Sequence, residues 1–312
     1  MLSLGLLNSQ TSKVINTPWQ SRIDIYPHQI ETAIKAMKNL PVKLILADEV
    51  GLGKTIEAGL ILKELIARNE VDNFIVFAPA SLVNQWNYEL FSKFDISTTI
   101  IKGNNKTDLE NLDGGFVCSI DLAKHNPDLF LNKDWDLLIF DEAHHLRRRK
   151  TKTTVHTTQK FKFANLIKEK TKHMLLLSAT PIQLDDYEFF TLIKLLETNL
   201  FERYDDFENY RDNYLPYFID IRNSMKEGEN IQSKLNLIQK RLHEIYPNYY
   251  ISQNKNESLD DFIEKNNFFK RFIVRHKKRI EFPNLPPRKV STIEVEYSSE
   301  EKKVYEEISH FA

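Results

Sequence analysis

A chain of 312 residues has room for two ordinary domains or one enlarged domain, and 41% hydrophobic with 28% charged residues is the balance of a folded globular protein, not of a disordered tail or a fibre. The single cysteine, Cys118, excludes an internal disulfide framework and a multi-thiolate zinc site, and no apolar run approaches the roughly 20 residues that span a bilayer. The formal net charge of -1 excludes little, because the charges are uneven: Arg147 to Lys162 holds seven basic residues and no acid, Lys270 to Lys289 holds eight against one acid, and residues 201–212 are acidic.

In chain order, the opening MLSLGLLNSQ carries an apolar stretch without a basic leader, so no secretory signal is expected, and a cytoplasmic protein without a membrane partner is. Residues 1–22 read as an N-terminal extension. From residue 42 to 177, β-type runs (42–47, 73–78, 98–101, 116–120, 136–140, 173–177) alternate with helix-type stretches. Residues 55–68 space Ile56, Leu60, Leu62, Leu65 and Ile66 along one helical face, and residues 81–93 start with Ser81 as N-cap and carry Leu82, Val83, Trp86, Leu90 and Phe91. Strands buried on both faces and separated by helices predict an α/β fold, a parallel sheet with right-handed crossovers and helices in the outer layers. After Pro181 the strand signal fades, and 186–275 reads as helical and rich in aromatics, with a polar stretch at 252–258. Residues 282–287, Phe-Pro-Asn-Leu-Pro-Pro, predict a rigid extended segment before one more β-type run at 290–297. The expected divisions are a lobe over 23–184, a mainly helical elaboration over 185–280, and an exit segment over 281–312.

Three of the eight glycines, Gly51, Gly53 and Gly59, fall close together, which points to unusual backbone geometry or close approach there. The run 44–47 leads into Asp48-Glu49-Val50-Gly51-Leu52-Gly53-Lys54-Thr55 and then a helix, the strand–loop–helix context of a nucleotide phosphate loop. Gly51, Leu52 and Gly53 would curl backbone N–H groups around phosphate oxygens at a helix N-terminus. Lys54 would reach the β/γ-phosphates and Thr55 would help hold Mg²⁺. Asp48 stands where the general phosphate-loop pattern has its first glycine. The apolar run 137–140 ends in Asp141-Glu142-Ala143-His144, an acidic pair on the rim where open α/β sheets bind ligands. Asp141 would hold Mg²⁺ and Glu142 would orient and deprotonate the attacking water. His144 and His145 lack the further ligands a zinc site needs.

Residues 47–59, Ala-Asp-Glu-Val-Gly-Leu-Gly-Lys-Thr-Ile-Glu-Ala-Gly, resemble the first motif of the Swi/Snf-type superfamily 2 DNA translocases, Asp48 included, nearest the bacterial RapA-like and phage-defence branch. Further motifs follow in order. Pro27-His28-Gln29 resembles the upstream glutamine motif, which implies that Gln29 reads the adenine edge. Residues 78–86 resemble the motif that touches the nucleic-acid backbone, which implies Ser81, Asn84 and Gln85 as DNA contacts. Asp141 to His144 resembles the DEAH-type acidic box. Leu177-Ser178-Ala179-Thr180-Pro181 resembles the motif that couples ATP state to strand movement, through Ser178, Ala179 and Thr180. The passage from Arg275 to Lys289, with Leu285-Pro286-Pro287, resembles the exit from this lobe.

The resemblance implies the first RecA-like P-loop NTPase lobe of a DNA-dependent ATPase and helicase-like hydrolase, a three-layer α/β/α sheet that uses ATP and Mg²⁺ and acts on double-stranded DNA. Catalysis falls to Lys54, Asp141 and Glu142. It further implies a second RecA-like lobe, in cis or in trans, that would bring arginine fingers worth about 10³–10⁵ in turnover. Without it the expectation is weak binding and very slow hydrolysis, and the 312 residues amount to about half of such an enzyme. Partners in phage defence or transcription fit the same branch. A non-catalytic assembly module that recruits a partner through residues 186–275, and the motor of a restriction-type complex, are the alternatives. Of the basic runs, 147–162 is the better DNA candidate because it starts beside the acidic box, with Arg147 and Arg148 nearest; either run could equally be solvated surface. Trp86 and the aromatics Tyr187, Phe189, Phe190, Tyr204, Tyr210, Tyr214 and Tyr217 are expected in helical core more than in base stacking, and Cys118 as a small apolar filler.

Overall fold

Unbroken apolar runs such as residues 137–140 leave a strand with no polar face to show water, so both its faces must be covered. The computed structural model, which describes residues 15–103, 109–150, 154–178, 186–216, 236, 240 and 267–282, has that sheet. Its strands are β1 (Lys43–Leu46), β2 (Phe74–Ala78), β3 (Thr98–Ile101), β4 (Gly115–Ser119), β5 (Trp135–Phe140), β8 (Thr171–Leu177) and β9 (Ile273–Val274). They run parallel in the order β3-β4-β2-β5-β8-β1-β9.

Period-two alternation sends successive residues of each strand to opposite layers. Leu44, Leu46, Val76, Leu137 and Ile139 pack with residues of α1 (Pro27–Lys38), α2 (Lys54–Ala67) and α3 (Val83–Phe94). Ile45, Ile75, Phe77, Leu138 and Phe140 pack instead with residues of α4 (Ile120–His125), α5 (Asp128–Leu131), α6 (Gln159–Ile167) and α7 (Asp186–Leu196). The outcome is the expected three-layer α/β/α arrangement, with Cys118 buried in β4 as a filler. In α2, Gly59 is needed for close approach: a Cβ there would meet the Phe94 ring of α3 at 2.2 Å.

Two expectations need correction, and one element was not foreseen. Ser81 is not an N-cap: Pro79, at φ -53° and ψ 144°, starts a 3-10 turn over Ala80–Leu82, so Ser81 already lies inside a helical turn and α3 begins at Val83 without a side-chain cap. The helical reading of 186–275 fails at its end, where α9 (Phe268–Phe272) gives way to β9 beside β1, with Ile45 opposite Ile273 and Leu46 opposite Val274. Two residues carry no periodicity; the open edge of β1 makes them a strand. The basic run from Arg147 folds into an antiparallel ribbon of β6 (Arg148–Lys150) and β7 (Val155–Thr157), which its charge conceals from hydrophobic patterning.

Beyond the sheet, α7 and α8 (Tyr204–Asn209) build an aromatic cluster from Tyr187, Phe189, Phe190, Phe201, Tyr204, Phe207, Tyr210 and Phe269, with ring centroids 5.1–6.0 Å apart. These aromatics are core, as expected; Tyr217 and the Tyr214 side chain lie outside the described residues, as do the polar stretch 252–258, the proline-containing segment 283–287 and the run 290–297. The chain divides into a unit Met1–Lys278 and a second unit Arg279–Ala312, whose described residues are the remainder of the helical turn α10 (Lys278–Glu281) and Phe282. Among the described residues no helix is long and apolar enough to cross a membrane.

Candidate active site

The strand order places the C-terminal ends of β5, β8 and β1 side by side, so the loops that follow them share one rim. After β1 the chain turns through residues 47–53 into α2, with Gly51 at φ 84° and Gly53 at φ 92°. Gly53 is needed twice over: the left-handed backbone disfavours any side chain, and a Cβ would stand 2.5 Å from Gln29 Nε2. That Gln29 amide donates to the Leu52 carbonyl oxygen at 3.0 Å, and His28 Nε2 lies 3.0 Å from the same oxygen. α1 thus fixes the loop from behind. Gln29 Oε1 is buried and has no hydrogen-bond partner among the described residues. Lys54 Nζ donates to the Asp48 carbonyl oxygen at 2.9 Å, and the half-buried Thr55 hydroxyl has no partner among the described residues.

Asp48 has a structural reason to depart from glycine. Its fully buried carboxylate accepts from the His276 backbone N–H at 2.8 Å and lies 2.9 Å from His276 Nδ1. Burial alone would raise its pKa, but the bonds to His276 outweigh it and hold Asp48 below the usual carboxylate range. Next to it Glu57, also fully buried, accepts from the Thr32 hydroxyl at 2.8 Å. Burial and then the Asp48 charge push Glu57 up, so it is protonated at neutral pH. A protonated Glu57 has a hydrogen to offer Asp48, which accounts for its otherwise unpartnered Oε2. His28, Asp48 and Glu57 place potential ligand atoms within 4.8 Å of one another, but Leu52 and His276 already engage two of the three. Sequence reading missed His276 altogether. It lies 228 residues from Asp48 within a basic run, and only the β1–β9 pairing brings it here.

β5 delivers the acidic pair. Asp141 Oδ2 accepts from Trp86 Nε1 at 2.8 Å and Oδ1 from the Glu142 N–H at 2.8 Å, so the carboxylate is oriented from both sides. Trp86 is therefore core with a second task, which helical spacing alone could not reveal. Glu142 sits at φ 48° and ψ 49°, a left-handed conformation that ordinary residues avoid. Burial and then Asp141 raise its carboxyl pKa, as suits a proton acceptor. His144 Nδ1 lies 3.0 Å from Glu142 Oε2, and burial followed by the Arg147 charge lowers the His144 pKa.

Ser178, fully buried, follows β8 and donates its N–H to the Leu46 carbonyl oxygen at 3.0 Å, between the other two loops; Ala179 and Thr180 lie outside the described residues. Ser81, Asn84 and Gln85 are exposed, and Gln85 donates to Glu89 at 2.8 Å. Arg147 Nε donates to the His144 carbonyl oxygen at 2.7 Å, and Arg148 is half-buried on β6. Later cations of this run turn to the fold: Arg149 pairs with buried Glu188, Lys150 covers the Tyr204 and Tyr187 rings, and Lys160 reaches Asp121 at 3.1 Å.

Residues 28–311 match the profile of the SNF2-related domain. The ATP-dependent helicase YqhH of Bacillus subtilis is 34% identical over 286 residues, 91% of this chain and 42% of that protein. The RNA polymerase-associated protein RapA of Yersinia pseudotuberculosis is 30% identical over 245 residues, 73% of this chain and 24% of RapA. Among solved structures, the Sulfolobus solfataricus SWI2/SNF2 ATPase core in complex with dsDNA superposes with a TM-score of 0.55 at 20% identity, covering 85% of this chain and 47% of that one. The core domain without DNA gives 0.57 at 18% identity, with 88% and 48% covered. This chain thus spans less than half the length of each of these relatives, and the structural likeness bears on the RecA-like fold.

Proposed function

The chain belongs to the SNF2-related domain family, and on that premise we propose that it is the ATP-binding lobe of a DNA-dependent ATPase and translocase. The observation that carries the reading is one rim on which the loop of Gly51 and Gly53, opening α2, stands two strands from the acidic pair Asp141–Glu142. In this reading the N–H groups of Gly51, Leu52 and Gly53 cradle the phosphates, Lys54 leaves the Asp48 carbonyl for the β/γ-phosphates, and the free Oε1 of Gln29 accepts from an adenine amino group.

The unpartnered Thr55 hydroxyl and the Asp141 carboxylate are hard oxygen donors of the kind Mg²⁺ takes, and they fit that ion. Bound there, the ion neutralises charge on the phosphates. Trp86 keeps the Asp141 carboxylate aimed, and Glu142, its pKa raised, removes the proton of the attacking water. Ser178, with Ala179 and Thr180, passes the state of the loop to the neighbouring strands. Ser81, Asn84, Gln85, Arg147 and Arg148 serve the DNA backbone, and contacts of that kind track a duplex without reading its sequence. Turnover calls for a second RecA-like lobe, in cis or in trans, whose arginines add about 10³–10⁵.

The test is nucleotide titration of the chain with and without Lys54→Ala. Loss of ATP affinity in the variant is expected, and equal affinity would overturn the reading. Phosphate release stimulated by duplex DNA only when a second lobe is supplied then separates the split motor from an assembly module.

A further inference from the structure

The segment after β9 is laced along the phosphate loop. Ala47 N–H donates to the Val274 carbonyl oxygen at 2.8 Å and Glu49 N–H to that of His276 at 3.4 Å. In return His276 N–H donates to Asp48 Oδ1 at 2.8 Å and Lys278 N–H to Glu49 Oε2 at 2.9 Å. The alternation extends the β1–β9 pairing past both strand ends and fixes the backbone of residues 274–278 against residues 47–49.

This lacing aims one side chain. The Lys278 Nζ lies 2.9 Å from the point a Cβ would occupy on Gly51, at the crown of the loop. The side chain is half-buried, and its ammonium has no hydrogen-bond or ion-pair partner among the described residues. A half-buried ammonium without a partner is a poor arrangement until an anion arrives, and the same cation favours the anion once it does. Lys54, in contrast, is occupied at the Asp48 carbonyl oxygen.

We propose that Lys278 is a further phosphate-binding residue of this site, a second cation for the phosphates of a nucleoside triphosphate, which rests on the nucleotide-binding reading above. His276 acts as its positioning residue: both its N–H and its ring hold Asp48. Asp48 then stands in place of glycine as the anchor through which a segment 228 residues away supplies a ligand.

Titration of the whole chain with a fluorescent ATP analogue, over a range of salt, decides this. Lys278→Ala is expected to weaken affinity about tenfold and to flatten its salt dependence, with the thermal midpoint unchanged, while Lys278→Arg recovers most of the loss. His276→Ala is expected to weaken affinity although both lysines remain. Wild-type affinity in Lys278→Ala, alongside a loss in Lys54→Ala, overturns this proposal and leaves the nucleotide site standing. A loss in Lys278→Ala that comes with a lowered thermal midpoint and no rescue by arginine also overturns it, since the residue is then structural. Absence of ATP binding by the wild-type chain overturns both readings.

Discussion

Two stretches of this chain have nearly the same basic density and end in different places. The first, from Arg147, sits next to the acidic pair, yet Arg149, Lys150 and Lys160 turn inward to Glu188, to aromatic rings and to Asp121. The second, from Lys270, is far in sequence from both motifs, yet a two-residue strand brings His276 and Lys278 onto the loop of Asp48 and Gly51. Proximity in sequence to a motif is thus a poor guide to which cations serve it. Backbone pairing decides, because it is the β1–β9 ladder and not charge that sets what reaches the loop.

The largest expected effect marks what neither run controls. His173, on β8, is fully buried, and its Nδ1 accepts the Val42 N–H at 2.8 Å, which requires that nitrogen to be unprotonated. Burial, then the Lys172 charge, lowers its pKa to about 4. The folded value lies below the unfolded one near 6.5, so this contribution is intact above pH 6.5 and is lost as pH falls toward 4, about 3 kcal/mol in all. Urea midpoints measured from pH 7.5 down to pH 4 should show the loss, and His173→Gln should flatten it. A slope that survives in His173→Gln would move the acid limit to other groups, those of the two runs included.

Arg149→Ala comes next and tests the inward role of the first run. It removes a charged partner of the Glu188 carboxylate, whose side chain is 4% exposed, and should cost about 2 kcal/mol of stability. Glu188→Gln should cost less, because the Arg149 side chain is 57% exposed and can hydrate. If Arg149→Ala instead left stability alone and weakened DNA binding, the contrast between the runs would collapse.

Much of this was legible in the sequence because it is written in local patterns. Apolar runs ending at Phe140 and Leu177 announced strands, and Gly51, Gly53 and Lys54 announced the loop, since each feature depends on residues a few positions apart. Pairings over long separations were not legible. Trp86 to Asp141 joins two motifs, and an indole at helical spacing looks the same whether or not its N–H has a task. His276 to Asp48 had a single local trace, an aspartate where the general pattern has glycine, and nothing nearby in sequence named its partner.

The Trp86 bond provides the next smaller test, on the acidic side of the rim. Trp86→Phe keeps a ring in the core but removes the N–H that holds Asp141 Oδ2, and should cost about 1 kcal/mol by urea denaturation. Because Asp141 is then free to swing, the Mg²⁺ concentration needed for ATP binding should rise while affinity for metal-free nucleotide stays the same. An unchanged Mg²⁺ requirement would make the bond part of the core alone.

The smallest effect is the sharpest on the first run, because it separates neighbours on one ribbon. Lys150 lies over the Tyr204 ring at 5.2 Å and the Tyr187 ring at 6.0 Å, and a cation–π contact at an exposed site is worth about 0.5 kcal/mol. Lys150→Ala should lose about that much stability and leave the salt dependence of duplex binding unchanged. Arg147→Ala should do the reverse and reduce the salt slope by about one, as the removal of one phosphate contact does. The Arg147 guanidinium donates to the His144 carbonyl oxygen, and among the described residues it has no partner on another element. Equal salt slopes for the two variants would mean that the ribbon meets DNA along its whole length or not at all, and the division drawn between its cations would fail.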